Sequence, residues 1–255
     1  MIISWFSGGV TSAVACKIAQ QSYEGVKPIF IETGGHHEDM PRFIKDCENW
    51  FKCKVKVLQD KRYKDHLDLC EKLKVMNFIG GAECTRTLKK KQRQLYEKEI
   101  NFEFEGQVFG FEFDKKEINR AVRFKEQYPL SKPLYPLIEK KLNKAACMSM
   151  LEKVGIELPT MYKLGYANNN CVGCIKGGMG YWGHIKKDFP DVFERTAKLE
   201  RKLGRTCING LYLDELTPER GRHKLPPMPE CDLFCEIEFA DIMSKEAEEI
   251  FKGGK

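Results

Sequence analysis

Two adjacent glycines near the start of the chain, Gly8 and Gly9, constrain its fold more than any other feature. They follow an apolar run typical of a buried strand, residues 2–6, and precede a helix-forming run, residues 13–19. The pattern predicts a strand, a tight turn and a helix. Glycines let a backbone approach a ligand closely, and the unpaired amides of a first helical turn attract phosphate. We expect a phosphate-binding turn here. The alternative is an ordinary β-α turn whose glycines serve packing.

This turn differs from the two common glycine-rich phosphate loops. Neither Gly-x-Gly-x-x-Gly nor Gly-x-x-x-x-Gly-Lys-Ser/Thr occurs at this position, which instead reads Ser7-Gly8-Gly9-Val10-Thr11-Ser12. A threonine hydroxyl at position 11 can hydrogen-bond phosphate, but it brings no charge for a metal ion. Direct Mg²⁺ binding by Thr11 is therefore not expected.

Apolar runs alternate with helical patterns through the first half of the chain. A second run ends at Glu32, a third covers residues 55–58, and a fourth covers residues 107–114. Strands that alternate with helices predict an α/β fold with a doubly wound, Rossmann-like parallel sheet. Ligands of such sheets bind beyond the carboxyl ends of the strands, so Ser7 and Glu32 should lie on the same edge.

Two histidines follow this second strand. His36 and His37 precede Glu38 and Asp39, a set of side chains that could bind a metal ion. A solvated polar loop beside a nucleotide is the interpretation we favour, because no other histidine is near in the sequence.

The composition indicates a soluble protein. Of 255 residues, 31% are charged, and no apolar run approaches the roughly 18 residues of a membrane span. The first apolar run lacks a basic flank and leads into the glycine turn, so we expect a core strand there and a cytoplasmic protein without membrane contact. The net charge of +6 favours anionic ligands or nucleic acid.

The chain has eleven cysteines, and their spacing divides them into two groups. In the cytoplasm, clustered cysteines favour metal binding or thiol chemistry over disulfides. Cys171-x-x-Cys174 lies in a glycine-rich loop, and Cys231 and Cys235 form a second pair. Cys84 begins a strongly basic helix, where either a thiolate is favoured or the cysteine is incidental to a solvated helix. The cysteines on apolar helix faces should pack in the core: Cys16, Cys47, Cys70 and Cys147.

A proline-rich segment, residues 128–137, predicts the main boundary of the chain. Residues 1–128 should form the nucleotide-binding α/β core, and residues 129–216 a helical region with the Cys-x-x-Cys pair. Residues 217–255 should form a proline-rich tail that brings the second cysteine pair back onto the core.

These features, taken in order, resemble the phosphoadenosine phosphosulfate reductase family of the PP-loop ATP pyrophosphatase superfamily, in a compact form of the phage type. The matching stretches are Ser7-Gly8-Gly9-x-x-Ser12, Glu32-Thr33-Gly34, Cys84 to Lys89, Gly110 with Glu117 and Arg120, and Cys171-x-x-Cys174. The resemblance covers about residues 1 to 205. It implies the adenine nucleotide alpha hydrolase-like fold and binding of ATP with Mg²⁺.

The resemblance also implies roles for individual residues. The nucleotide site would comprise Ser7, Gly8, Gly9, Thr11, Ser12, Glu32, Gly110 and Arg120. A [4Fe-4S] cluster would be bound by Cys84, Cys171 and Cys174 together with Cys231 or Cys235, because Glu83 stands where related proteins have an adjacent cysteine. Catalytic roles would fall to Cys231, Cys235 and Lys89. The tail keeps Glu230-Cys231 but lacks the glycine and histidine of the reductases.

Three functions are compatible with this pattern. The first is a sulfur transferase that adenylates a nucleobase or nucleic acid, with tRNA or DNA as partner and a separate sulfur or electron donor. The second is reduction of an adenylyl sulfate with Cys231 as the nucleophile. The third is a non-catalytic nucleotide-binding protein whose four cysteines bind structural zinc. We expect the first; a homodimer is compatible with each.

Overall fold

The computed structural model describes residues 1–78 and 81–217. The strands are β1 (Ile2–Trp5), β2 (Val26–Glu32), β3 (Lys56–Gln59), β4 (Asn77–Phe78), β5 (Gly81–Ala82), β6 (Gly106–Val108) and β7 (Pro133–Leu134). The α-helices are α1 (Val10–Ser22), α2 (Met40–Phe51), α3 (His66–Leu73), α4 (Lys91–Glu99), α5 (Lys115–Gln127), α6 (Pro136–Glu139), α7 (Lys144–Lys153), α8 (Thr160–Lys163), α9 (Met179–Asp188) and α10 (Pro190–Leu203). A π-helical segment, Thr85–Lys90, leads directly into α4.

Five strands form one parallel sheet in the order β3-β2-β1-β6-β7. Every pair in it is parallel, and β1 lies at the centre between β2 and β6. This arrangement confirms the predicted α/β fold with a doubly wound parallel sheet. The order of the strands reverses between β1 and β6, which is where ligands of such sheets bind.

The central strand is buried on both faces, and successive side chains point to opposite sides. Ile2 packs with α1, α2 and α7 in one apolar cluster. Ile3 and Trp5 pack with residues of α4 and α5 in another. The two helical layers therefore enclose β1 and fix the position of the turn that follows it.

A third apolar cluster is built from α3, the 82–88 segment, α9 and α10. It contains Cys84 and Cys174 as well as the fully buried Trp182. Phe193, Ala197 and Leu199 of α10 pack in this cluster.

The proline-rich segment between the predicted domains is not a plain linker. It contains β7, which pairs with β6 as an edge strand of the sheet. Beyond it, Cys147 and Leu151 of α7 pack in the same cluster as α1. The predicted division at residue 128 stays a prediction, and the tail from residue 218 lies outside the described residues.

No helix in the described part of the chain is long and apolar enough to cross a membrane. The cysteines predicted to pack in the core are buried, and Cys16, Cys47 and Cys147 share the cluster around α1. Burial raises the pKa of the Cys16 thiol to about 12. Neutral thiols of this kind pack like small apolar side chains.

Candidate functional site

The turn after β1 has the conformation that its two glycines predict. Gly8 has a φ of +80°, and a Cβ atom there would lie 2.6 Å from Met40 Sδ. Gly9 is the N-cap residue of α1 and makes no side-chain cap. The first turn of α1 therefore presents its amides to the carboxyl edge of the sheet, as a phosphate-binding turn requires.

The two serines of the turn are joined by their hydroxyls. Ser12 Oγ accepts from the Ser7 amide at 3.1 Å and from Ser7 Oγ at 3.1 Å, and it donates to the Gly9 carbonyl at 2.9 Å. Ser12 and Thr11 are buried, whereas Ser7 is exposed. The buried hydroxyl of Ser12 thus fixes the shape of the turn, and Ser7 lies at its open side.

Gly110 completes the turn from the neighbouring strand. It follows β6 by two residues, and a Cβ atom on it would lie 2.7 Å from both Cα and N of Ser12. The backbone that follows β6 is therefore in contact with the first turn of α1 at the point where the strand order reverses. Only glycine permits this approach without displacement of the start of α1.

Two side chains from the second half of the chain also reach the turn, and no sequence pattern predicted a role for either. Asn169 Nδ2 donates to the Gly8 carbonyl at 2.8 Å in a buried hydrogen bond. The Val10 amide donates to the Tyr162 hydroxyl at 3.4 Å. The one sequence signal for Asn169 was its place in a run of three asparagines before Cys171.

Glu32 ends β2 on the same edge, as predicted. Its carboxylate accepts from the Gly34 amide at 2.6 Å and pairs with His36 Nδ1 at 2.9 Å. Burial favours a higher pKa for Glu32, but the hydrogen bonds from His36 and the backbone outweigh it and hold the pKa below its ordinary value. Glu32 is therefore a carboxylate, and His36 contacts this carboxylate.

Arg120 and Lys89 are the two cations that the resemblance assigns to the site. Arg120 is buried, lies 3.3 Å from Glu117 Oε1, and stacks over the ring of Phe111 at 5.0 Å, directly after Gly110. Glu117 and Arg120 are three residues apart and share one face of α5. Lys89 is buried in the π-helical segment, a rare structure that is frequent at functional sites.

Comparison with known proteins identifies the family. The sequence model of the phosphoadenosine phosphosulfate reductase domain matches residues 1–177. The chain belongs to this family.

A solved structure of phosphoadenylyl-sulfate (PAPS) reductase from Candida auris, in complex with phosphate, is similar over 66% of this chain and 80% of its own length. The sequence identity is 13% and the TM-score is 0.46. None of the curated proteins matches the chain.

The region matched by the phosphoadenosine phosphosulfate reductase domain contains the turn after β1, Glu32, Gly110, Arg120 and the Cys171–Cys174 loop. The predicted catalytic cysteines, Cys231 and Cys235, lie beyond the match and outside the described residues. Their roles stay predictions.

Cys84 begins the π-helical segment of this reductase-family protein, as predicted for the start of a basic helix. Its side chain is buried in an apolar cluster. The preceding Glu83 is also buried, and its carboxylate accepts from Arg86 at 2.9 Å and from Thr87 Oγ1 at 2.5 Å. Where related proteins have a second cysteine, this chain has an acid that stabilises the first turn of the helix.

The Cys171–Cys174 loop is bonded to the residues that follow β2, at the carboxyl edge of the sheet. Cys171 Sγ lies 3.0 Å from Thr33 Oγ1, and the Val172 amide donates to the Gly35 carbonyl at 2.8 Å. The Tyr181 hydroxyl donates to the Cys171 carbonyl at 3.3 Å and accepts from the Cys174 amide at 3.0 Å. The Cys174 amide therefore donates to a phenol oxygen.

The described cysteines do not form a metal centre by themselves. In residues 1–78 and 81–217, no group of three or more His, Cys, Asp or Glu side chains is arranged to bind a metal ion. This holds for the His36–Asp39 loop and for Cys84, Cys171 and Cys174. The predicted [4Fe-4S] cluster, and zinc as its alternative, stay predictions, and the remaining candidate ligands, Cys231 and Cys235, lie outside the described residues.

Cys207 is a buried cysteine that the sequence analysis missed. It lies in the apolar cluster that contains Cys70, Cys84 and Cys174. Burial raises the pKa of its thiol, and the nearby Glu200, Cys70 and Cys84 raise that pKa further. A neutral, buried thiol indicates packing, and no sequence pattern around residue 207 pointed to this cluster.

Proposed function

We propose that this protein is a PP-loop enzyme that uses ATP to activate a nucleobase or nucleic acid for thiolation. The observation that supports the proposal is the geometry of the turn after β1, where Gly8 has a positive φ and Gly9 caps the start of α1, as a phosphate-binding turn requires. Gly110 closes this site from the adjacent strand. The turn can accept the pyrophosphate that leaves ATP when the α-phosphorus is attacked.

The reaction has two stages. In the first, an oxygen of the acceptor attacks the α-phosphorus of ATP, the bond to the β-phosphate breaks, and pyrophosphate leaves. In the second, the terminal sulfur of a cysteine persulfide attacks the activated carbon, and AMP leaves with the oxygen. A second thiol then attacks the cysteine sulfur, which releases the thiolated acceptor and forms a disulfide that an external thiol reductant restores.

The chain's own residues support the first stage. Ser12 maintains the turn through its bonds to Ser7 and the Gly9 carbonyl. The resemblance assigns Arg120 and Lys89 to the nucleotide; both are buried, and Arg120 is paired with Glu117, so either would act only on a ligand that enters the site. Mg²⁺ would associate with the phosphates of the nucleotide, since Thr11 supplies no carboxylate.

Fewer cationic side chains of the basic helix are accessible to a nucleic acid than the sequence suggested. Within the basic helix, Lys89 and Arg93 are buried, so they cannot contact a surface ligand. Arg86 and Lys91 are exposed, and Arg86 is paired with Glu83. A small electropositive surface of this kind favours a short contact on tRNA or DNA.

Reduction of an adenylyl sulfate is the second candidate, and the family match favours it. In that reaction a cysteine thiolate attacks the sulfur, the bond to the phosphate oxygen breaks, and the nucleotide leaves. Thiols then release sulfite from the cysteine S-sulfonate. Cys231 would be the nucleophile.

One experiment separates the two. Protein purified without oxygen is incubated with ATP, Mg²⁺, a persulfide donor, dithiothreitol and bulk tRNA or DNA, and separately with each adenylyl sulfate and dithiothreitol. We expect pyrophosphate and thiolated nucleosides, detected by mass spectrometry, from the first mixture. The iron and zinc contents of the same protein test the predicted cluster against structural zinc.

Gly9→Val is the control variant for this experiment. Gly9 has φ −97° and ψ 161°, which a branched residue adopts, and its Cβ atom would lie 3.3 Å from the Tyr162 hydroxyl. The variant should fold and yield no pyrophosphate, because the side chain occupies the phosphate turn. Sulfite from the second mixture with no pyrophosphate from the first would overturn the proposal in favour of the reductase.

A further inference from the structure

Asn169 lies in the second half of the chain, and its side-chain amide contacts the backbone of the turn after β1. Its Nδ2 atom donates to the Gly8 carbonyl at 2.8 Å, and 161 residues separate the two positions. Asn169 is 5% exposed, and it approaches Met40 Sδ at 3.9 Å. The hydrogen bond is therefore shielded from water, which would otherwise compete for the same carbonyl.

The bond fixes the direction of one peptide plane. In a trans peptide the carbonyl of one residue and the amide of the next point in opposite directions. When Asn169 holds the Gly8 carbonyl toward the protein interior, the Gly9 amide points to the opposite side, which is the side of the open turn. Asn169 thus determines the direction of the Gly9 amide, which a phosphate would contact, although Asn169 itself does not contact the phosphate.

Two glycines in sequence need such an anchor. Neither has a Cβ atom, so the peptide between Gly8 and Gly9 rotates with little steric resistance. The hydrogen bond from Asn169 is an interaction that selects one orientation of that peptide.

The loop that carries Asn169 is fixed at a second point. Two residues later, Cys171 Sγ lies 3.0 Å from Thr33 Oγ1, and the Val172 amide donates to the Gly35 carbonyl at 2.8 Å. The same short loop therefore contacts the ends of β1 and β2. A loop held at both strand ends can position the Gly8 carbonyl accurately.

We infer that Asn169 is a positioning residue that orients the Gly8–Gly9 peptide so that the Gly9 amide binds the phosphates of the nucleotide. The inference rests on the proposed binding of an adenine nucleotide at this turn. It does not depend on which reaction follows.

The test compares ligands that differ only in their phosphates. The affinities of the full chain for ATP, AMP and adenosine are measured by calorimetry in wild type and in Asn169→Ala. We expect ATP to bind at least tenfold more weakly to the variant, about 1.4 kcal/mol, with adenosine affinity unchanged. A general loosening of the fold would weaken the binding of all three ligands by the same factor.

Asn168→Ala is the matched control. Asn168 is a buried asparagine in the same loop, but its Oδ1 atom accepts from Lys144 Nζ at 2.7 Å. This variant should keep the ratio of ATP to adenosine affinity of the wild type. Asn169→Asp is a second test variant, because it keeps the side-chain size and replaces the donor with an acceptor that repels the Gly8 carbonyl.

The outcomes are distinguishable. If Asn169→Ala loses affinity for ATP and adenosine equally, or loses none, the positioning role is overturned. Unfolding of both Asn169 variants while Asn168→Ala folds also overturns it, since the residue would then be structural. If wild type itself binds no ATP, both the proposed function and this inference fail; if wild type binds ATP and Asn169→Ala binds it equally well, the inference alone fails.

Discussion

The close contact between Gly110 and the start of α1 gives the sharpest prediction. Gly110 does not have a positive φ, so alanine can adopt its backbone conformation. The added Cβ atom, however, would lie 2.7 Å from Cα and N of Ser12, about 0.7 Å closer than the 3.4 Å at which ordinary contacts begin. These are backbone atoms of a helix, so they cannot rotate away as a side chain could.

The size of the effect follows from this displacement. Overpacking of a well-packed contact costs typically about 1–3 kcal/mol of folding stability. A shift of the first turn of α1 also moves the amides that face the phosphates, and each hydrogen bond to a charged group contributes about 1.5–3 kcal/mol. We expect Gly110→Ala to lower the free energy of unfolding by about 1–3 kcal/mol and to weaken ATP binding roughly 10- to 100-fold.

Urea denaturation and calorimetry with ATP measure the two effects. Gly183→Ala is the control, because Gly183 lies within α9 and a Cβ atom there would meet no atom within 4 Å. That variant should be up to about 1 kcal/mol more stable, since alanine favours a helix, and it should bind ATP like wild type. Wild-type stability and wild-type affinity in Gly110→Ala would refute the argument that Gly110 is in steric contact with the first turn of α1.

Two further predictions concern the turn and the pH dependence of folding. Ser12→Ala removes the hydroxyl that accepts from Ser7, so it should lower ATP affinity and cost about 1–3 kcal/mol in the free energy of unfolding, both measurable on the same samples. Arg42 holds the pKa of Asp39 at about 2, below its usual value near 4. A lowered folded pKa stabilises the protein above about pH 4, and this contribution is lost as the pH falls toward 2. Asp39→Asn should therefore destabilise the protein at pH 6 and much less at pH 2, and an equal loss at both values in urea titrations would contradict this.

The two neighbouring glycine sites of the turn differ in what they tolerate. Gly8 has a positive φ and its Cβ atom would collide with Met40, so glycine is required there for the fold. Gly9 has an extended conformation that other residues adopt. A substitution at Gly9 therefore tests the binding of phosphate at the turn. A substitution at Gly8 tests whether the backbone of the turn can form.

Local patterns determined much of this protein. A strand that ends in Ser7-Gly8-Gly9 and continues as a helix is encoded within about twenty residues, and strands alternating with helices allow few arrangements besides a parallel sheet. For this reason the sequence predicted that Ser7 and Glu32 lie on the same edge of the sheet. The resemblance to a known family added Gly110, whose contact with Ser12 no local pattern could show.

Other features were decided by tertiary packing alone. Asn169 and Tyr162 reach the turn from more than 150 residues away, and hydrophobic periodicity carries no information about such contacts. Lys89 is likewise buried, although the sequence around it predicts a uniformly basic, solvated helix. Cys207 joins the cluster around Cys84 only because α10 packs against α3. The type and position of a single helix or strand follow from its own sequence. The contacts of a side chain with distant residues depend on how the helices and strands pack together.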